Sequence, residues 1–206
     1  TTLGIMSIEA NLPLHLHRKT ISDDVLKGYW DNTLGKKIDG SSRVFMYDHW
    51  GSTDEDNLLS KVRYLAKGLD CKWIVLDHLS IVVSDQEVMD ERKAIDSIMT
   101  KLRQLVQETG IGLFLVSHLR RPMGKGHEEG GKISLSELRG SASIAQLSDM
   151  VIGLERNQQA DDPIVRNTTI LRVLKNRFSG LTGPACALHY DKETGRMKET
   201  DSVGEF

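Results

Sequence analysis

The chain has 206 residues, of which 39% are hydrophobic and 27% are charged, and its formal net charge is −2. This length is sufficient for one α/β domain with a substantial core. The near-neutral charge excludes a uniformly basic surface, so any contact with nucleic acid must come from local patches. The longest apolar runs have only the length of a strand, which predicts no membrane-spanning segment. Two cysteines without a spacing motif suggest a reducing compartment or simple burial, and we predict a cytoplasmic protein.

Strands and helices are predicted to alternate over the first part of the chain. An apolar run over Leu3–Glu9 predicts a strand, and because termini usually lie at the surface, Thr1 is expected to be a fragment boundary. The next predicted elements are a helix over Ser22–Trp30, a loop over Asn32–Ser42, a short strand over Arg43–Asp48, a helix that Thr53 caps, and a strand over Trp73–His78.

The second part is predicted to be richer in strands. A clear helix over Asp90–Thr109, which Gly110 ends, precedes a strand over Ile111–His118. The elements predicted after it are a loop over Leu119–Lys132, a weaker helix over about Leu135–Leu147, strands over Met150–Glu155, Thr169–Lys175 and Ala185–Tyr190, and a hairpin turn over Asp191–Arg196. The order predicts one α/β domain with a parallel core sheet and antiparallel additions at the C-terminal end.

Polar side chains end three of the predicted strands: Glu9, Asp77 and His118. Because ligands bind at the carboxyl ends of parallel strands, these residues would share one sheet edge. There Asp77 could orient the water shell of a nucleotide-bound Mg²⁺, His118 could donate to a γ-phosphate, and Glu9 could act as general base. Each could instead be an ordinary strand-end or capping residue. Two such residues one strand–helix–strand unit apart favour a nucleotide site.

Two basic segments add further candidates. Arg177 ends a strand with alternating basic residues and could act as an arginine finger in a neighbouring subunit; a basic edge strand facing solvent is the alternative. The loop over Leu119–Lys132 carries Arg120, Lys125 and Lys132 among four glycines, which suits contacts with a phosphate backbone. Two glutamates dilute that patch, so a mobile surface loop is the alternative. No G-x-x-x-x-G-K-[ST] loop occurs among the 206 residues.

Short stretches along the chain carry a family resemblance in combination. They are Ile74–Val83, Asp90–Lys93, Ser117–Leu119, His127–Gly130, Leu138–Ser141, Gln146–Asp149, Leu154–Gln159, Lys175–Phe178 and Tyr190–Gly195. Together they resemble the helicase domain of bacteriophage primase-helicases, the ring motors of short-tailed phages. Mitochondrial Twinkle and the DnaB-type replicative helicases are more distant relatives. The similarity runs from about Asp70 to Arg196 and more loosely back to Gly4.

The resemblance implies catalytic roles at matching positions. Glu9 would be the catalytic base, Asp77 the acid that holds the metal, and His118 the γ-phosphate sensor. Arg177 would be the trans-acting finger, with Lys175 beside it.

The resemblance also implies binding roles. Tyr190 would stack on the nucleotide base, and Gln146 would help couple the nucleotide state to DNA. The residues that would contact DNA from loops of the central channel are Arg120, Lys125, Lys132, Arg139 and Gly140.

At the level of the whole protein, the resemblance implies a RecA-like fold, a hexameric ring, and ATP or dTTP with Mg²⁺ as substrate. The ring would move 5′ to 3′ on single-stranded DNA and unwind duplex at a replication fork. Its partners would be single-stranded DNA, copies of itself and a phage or replisome polymerase, with no membrane, in the cytoplasm of the host cell.

The P-loop strand and helix of the family would precede Gly4, so residues 1–206 are expected to be a partial motor domain that alone hydrolyses little nucleotide. That strand would be central in the sheet, so either a second segment pairs there or the chain rearranges. Two other classes stay open: a RecA-like strand-exchange or regulatory ATPase, and a non-enzymatic oligomerising module that binds DNA.

Overall fold

The computed structural model describes residues 20–37, 39–47, 55–79, 88–120, 122, 124–138, 142–192 and 194–201. Its helices are α1 (Asp23–Tyr29), α2 (Glu55–Arg63), α3 (Val88–Thr109), α4 (Ala142–Leu147) and α5 (Pro163–Arg166). Its strands are β1 (Trp73–Leu76), β2 (Gly112–Leu115), β3 (Met150–Glu155), β4 (Thr168–Asn176), β5 (Gly183–Asp191) and β6 (Arg196–Glu199). π-helical turns extend α1 over Trp30–Leu34 and α2 over Tyr64–Gly68, and Leu135–Glu137 forms a 3-10 turn.

The strands form two sheets in this part of the chain. β1 and β2 pair in parallel, with Trp73 opposite Gly112 and Leu76 opposite Leu115. β3, β4, β5 and β6 form an antiparallel sheet in that order. The predicted α/β class, with parallel pairing first and antiparallel strands at the C-terminal end, is confirmed.

The crossover helix α3 is the centre of the core. Its residues Ile98, Leu102 and Leu105 are at most 2% exposed, and they follow the i, i+4, i+7 spacing of one helical face. Burying each such side chain contributes about 1.5–3 kcal/mol to folding. α3 packs against α2 on one side and α4 on the other. Within the described ranges, no helix is both long and apolar enough to cross a membrane.

A cavity of about 640 Å³ separates the two sheets. Its lining is mostly apolar and includes Met99 and Val106 of α3, all of β2, and Met150 and Ile152 of β3. Among the strands that the structure describes, β2 pairs only with β1 and β3 only with β4. The sheets are therefore connected here by side-chain packing on α3 rather than by backbone hydrogen bonds.

Three local predictions are wrong. The predicted strand over Arg43–Asp48 is absent over its described residues 43–47, where the side chains are exposed and none of the described strands pairs with them. The predicted helix over Leu135–Leu147 is interrupted because Leu138 has extended backbone and bridges to Leu119. The helix α5 was missed, although the Asp162 carboxylate caps it by accepting from the Ile164 amide at 2.8 Å. The predicted strand over Leu3–Glu9 lies outside the described residues.

A buried carboxylate connects the end of β3 to two other segments. Glu155 is 5% exposed, and its Oε1 accepts from Arg172 Nε of β4 at 2.7 Å and from the Ile133 amide at 2.8 Å. A buried charge is tolerated only when it is paired and hydrogen-bonded. Glu155 therefore fixes the segment before the 3-10 turn against the antiparallel sheet.

Glu155→Ala should lower the free energy of unfolding by about 3 kcal/mol, since it leaves the partly buried Arg172 guanidinium and a backbone amide without their acceptor. Urea unfolding followed by circular dichroism measures this change. Glu199→Ala, an exposed position on β6 of the same sheet, is the control and should leave the midpoint unchanged. Equal midpoints for the two variants would contradict the role of Glu155.

Candidate functional site

The parallel pair carries two of the predicted site residues to one edge. Beyond the strands, the Val116 amide donates to the Leu76 carbonyl and the Leu79 amide donates to the Val116 carbonyl, both at 3.0 Å. Asp77, which follows β1, and His118, which follows β2, therefore lie at the same carboxyl edge, and both are exposed. Glu9, the predicted catalytic base, lies outside the described residues.

A second histidine contacts the predicted sensor. The ring centroids of His78 and His118 are 4.4 Å apart, with the rings at 65° in an edge-to-face arrangement. The Nδ1 atom of His78 is buried and has no hydrogen-bond partner within the part of the chain that the structure describes. The His78 ring therefore limits where the His118 ring can turn. Sequence reasoning missed His78, although it directly follows the strand-end acid.

One exposed carboxylate at this edge fits a nucleotide-bound magnesium ion. Mg²⁺ keeps several waters and binds nucleotides through one or two protein carboxylates plus phosphate oxygens, rather than through a cage of side chains. Asp77 can supply such a contact. The described ranges contain no group of three or more His, Cys, Asp or Glu side chains that could hold a metal ion.

Lys175 and Arg177 form a second cluster, at the C-terminal end of α4. Lys175 Nζ donates to the carbonyls of Ala145, Gln146 and Ser148 at 2.6, 3.0 and 2.8 Å. Arg177 NH2 donates to the Gln146 carbonyl at 3.0 Å. The last carbonyls of a helix lack partners within the helix and carry partial negative charge, so both cations stabilise this end. Gln146 takes part through its backbone, and its side chain is exposed.

The two clusters lie toward opposite edges of the parallel pair. Phe178, next to Arg177, lines the 640 Å³ cavity together with Trp73 and Gly112, the first residues of β1 and β2. Asp77 and His118 instead follow the last residues of those strands. Within the described residues, the hydrogen bonds and ion pair of Arg177 go to Gln146 and Asp149 and not to Asp77 or His118.

Tyr190 lies far from Arg177. Its amide donates to the Asn167 carbonyl at 2.8 Å, which places it beside the start of β4, whereas Arg177 follows the end of that strand. Nine residues of extended chain separate Thr168 from Arg177, a distance of about 30 Å. The two predicted nucleotide contacts are therefore too far apart for their side chains to contact each other.

The basic loop begins directly after His118 and is closed at its base. Leu119 bridges Leu138, and the Arg120 amide donates to the Glu137 carbonyl at 2.7 Å. Lys125 and Lys132 are exposed, as is Arg120. The predicted DNA contacts Arg139 and Gly140 lie outside the described residues.

The middle of this loop rests on the segment that follows β3. The Gln158 amide donates to the Glu128 carbonyl at 2.8 Å, and Glu129 bridges Asn157. Gly130 has φ of 86°, a conformation that favours glycine, and its Cα packs close to the Asn157 side chain. The loop predicted from its glycines as flexible thus has defined contacts at its base and at its middle.

These features define an α/β protein with a polar site at the ends of two parallel strands and a basic loop beside it. The family model described as DnaB-like helicase C terminal domain matches residues 8–199, and the chain belongs to this family. The helicase function predicted from the sequence is therefore supported at the level of the family.

Individual relatives agree with this assignment. The chain is 44% identical over 188 residues to a DNA helicase/primase of Enterobacteria phage T3, covering 91% of this chain and 32% of that protein. It is 28% identical to a probable plasmid replicative DNA helicase of Chlamydia psittaci, covering 88% and 38%. The chain spans about a third of the length of these relatives. A solved KaiC-like protein from Pyrococcus horikoshii OT3 gives a TM-score of 0.48 at 16% identity, covering 71% of this chain and 56% of that one.

Lys175→Met should loosen α4, because three carbonyls lose their charged donor. We expect amide hydrogen exchange in α4 to become about tenfold faster, equivalent to a loss of about 1–2 kcal/mol of local stability. Hydrogen exchange read by mass spectrometry measures this. Lys198→Met, at an exposed position of β6, should leave α4 exchange unchanged. Unchanged amide exchange in the Lys175→Met variant would show that the hydrogen bonds from Lys175 do not stabilise α4.

Proposed function

We propose that this chain is the motor domain of a replicative DNA helicase that hydrolyses ATP or dTTP with Mg²⁺, moves 5′ to 3′ on single-stranded DNA and unwinds duplex at a replication fork. The observation that carries the proposal is the hydrogen-bonded β1–β2 pair, which holds Asp77 and His118 at one edge. Family membership supplies the helicase class. The nucleotide, the direction, a phage or replisome polymerase as partner and the host cytoplasm as location follow from the family resemblance.

Asp77 and His118 have different proposed roles at the nucleotide phosphates. The Asp77 carboxylate would hold a nucleotide-bound Mg²⁺ through its water shell, and the ion would supply positive charge that stabilises the phosphates. The His118 imidazole donates to the γ-phosphate and loses that partner when the phosphate departs. Glu9 is the proposed general base, on its place at the end of a predicted strand and on the resemblance. His78 restricts the His118 ring, which favours one orientation of the donor.

The sensor is joined directly to the proposed DNA-binding loop. Leu119, next to His118, forms the base of that loop by bridging Leu138. A shift of His118 on phosphate release is therefore passed to Arg120 without an intervening flexible segment. Arg120, Lys125 and Lys132 would contact the DNA backbone, which needs charge but no reading of bases. Arg139 and Gly140 would belong to the same channel surface.

A nucleotide site shared between two subunits fits the spacing of the remaining residues. Tyr190 would stack on the base, while Arg177, about 30 Å away along β4, would reach the phosphates of the neighbouring subunit. Gln146, whose carbonyl accepts from Arg177, would help couple the nucleotide state to DNA. Lys175 would support the finger by holding the end of α4. Such heterologous contacts close into rings when the rotation permits, and the proposed ring is a hexamer.

Asp77→Asn and His118→Ala should each lower the kcat of DNA-stimulated nucleotide hydrolysis by about 10²-fold or more, because each removes charge stabilisation at the phosphates. The measurement uses the full-length protein, since this chain contains no Walker loop. Asp70→Asn is the control: this exposed acid lies before β1, and its φ of 54° suits asparagine.

Retained turnover in both variants would contradict the proposed site. Tight binding of single-stranded DNA that does not depend on nucleotide would favour the non-enzymatic module instead.

The double variant Lys125→Ala with Lys132→Ala should weaken binding of single-stranded DNA and lower the slope of log affinity against log salt by about 1.4, which is about 0.7 per lost phosphate contact. Fluorescence anisotropy between low and moderate salt measures the slope. Lys192→Ala with Lys198→Ala, two exposed lysines of the β5–β6 hairpin, is the matched control. An unchanged slope in the loop variant would exclude these lysines from the DNA contact.

A further inference from the structure

Asp149, between α4 and β3, is shared by two arginines. Its Oδ2 accepts from Arg103 NH1 at 2.6 Å, and its Oδ1 lies 3.3 Å from Arg177 NH1. The exposed fractions of the three side chains are 25% for Arg103, 34% for Asp149 and 46% for Arg177. The Asp149 carboxylate thus connects Arg103 of the core helix α3 to Arg177, which is the proposed finger and the most exposed of the three side chains.

Arg103 gives this carboxylate a fixed position. It belongs to α3, directly after Leu102 and two residues before Leu105, which are 2% and 1% exposed. A helix packed so tightly moves little, because protein interiors are close-packed. The Asp149 oxygen that binds Arg103 is therefore held relative to the core.

The backbone fixes only the start of the Arg177 side chain. The Arg177 amide donates to the Asp149 carbonyl at 2.9 Å, and Asn176 pairs with Met150 in the β3–β4 ladder. The long side chain beyond this point needs further contacts to select one direction. The Asp149 carboxylate and the Gln146 carbonyl supply them.

Without its charge, Asp149 would leave two guanidinium groups beside each other with no shared anion. Arg103 and Arg177 approach the two oxygens of the same carboxylate, so they lie close enough for like charges to repel. Arg103 extends from a packed helix, whereas Arg177 is nearly half exposed. Arg177 is therefore the side chain that would turn away.

We propose that Asp149 is a positioning residue that aims Arg177 at the nucleotide of the neighbouring subunit. The proposal rests on the proposed function of Arg177 as a trans-acting finger, and it adds the residue that orients this finger. A misplacement of about 1 Å at a reacting centre costs on the order of 10²-fold in rate, so the rate depends on the position of the Arg177 guanidinium group as well as on its presence.

The first test is Asp149→Asn in the full-length protein. We expect the kcat of DNA-stimulated hydrolysis to fall by about tenfold or more. The nucleotide KM should change little, because an arginine finger stabilises the charge that develops in the transition state rather than the bound nucleotide. Wild-type kcat in this variant would overturn the proposal.

Glu108→Gln is the matched control. Glu108 lies near the C-terminal end of α3 and also bridges two basic side chains, those of Arg63 and Lys67, with 45% of its own side chain exposed. The hydrogen bond from Lys67 lowers the pKa of Glu108, so the control removes a charge that is present at neutral pH. This variant should keep wild-type kcat.

Mixed rings separate positioning from folding. Asp149→Asn subunits keep Asp77, and Asp77→Asn subunits keep Asp149, so one order of the two at an interface rebuilds an intact site. An equal mixture should regain about one quarter of wild-type turnover, because about one interface in four has this order. A mixture no more active than the mean of its parts would overturn the proposal, since a folding defect inside one subunit is not complemented by its neighbour.

Arg177→Ala distinguishes this inference from the function on which it rests. If turnover survives in Arg177→Ala, the proposed role of Arg177 as a trans-acting finger is wrong. If turnover is lost in Arg177→Ala but kept in Asp149→Asn, the finger role of Arg177 stands and only the positioning role of Asp149 is wrong.

Discussion

The parallel pairing of β1 with β2 is the constraint on which the strand-end site depends. Parallel neighbours require a crossover, and α3 provides it while burying its apolar face beneath the pair. The register that sets Leu76 opposite Leu115 also sets which residues emerge together at the edge. Because side chains alternate along a strand, a slip of one residue would exchange Asp77 with His78. The chemistry of the edge is thus fixed by backbone pairing below it.

Carboxylates at the two ends of β3 connect the antiparallel sheet to the rest of the molecule in different ways. Glu155 is buried and ties Arg172 and Ile133 into the fold. Asp149 is about one third exposed and ties Arg177 to α3. A buried pair is costly to break, whereas a partly exposed pair is weakened by water and salt. The Glu155 end of β3 therefore stabilises the fold. The Asp149 end holds the Arg177 side chain, which can still move when a neighbouring subunit binds.

Sequence patterns predicted the features of the structure that depend on residues close together in the chain. The spacing of apolar residues located α3 and β3, and the polar residues after two apolar runs located Asp77 and His118. The strand over residues 43–48 failed because a strand needs a partner, which its own composition does not reveal. The contact of His78 with His118 and the bonds of Lys175 to α4 join residues that are distant in the chain. No local pattern encodes such contacts, so they appear only when the elements are assembled.

The cavity between β2 and β3 has a consequence for how the described part of the chain opens. Backbone hydrogen bonds run within each sheet, and none of the described ladders crosses from one sheet to the other. Cooperative units of local unfolding tend to follow such continuous networks of bonds and packing. We therefore expect the β1–α3–β2 unit and the β3–β6 sheet to open as two cooperative units that share α3 as their common boundary. Whatever stabilises that boundary also sets how strongly the unfolding of one unit is coupled to the unfolding of the other.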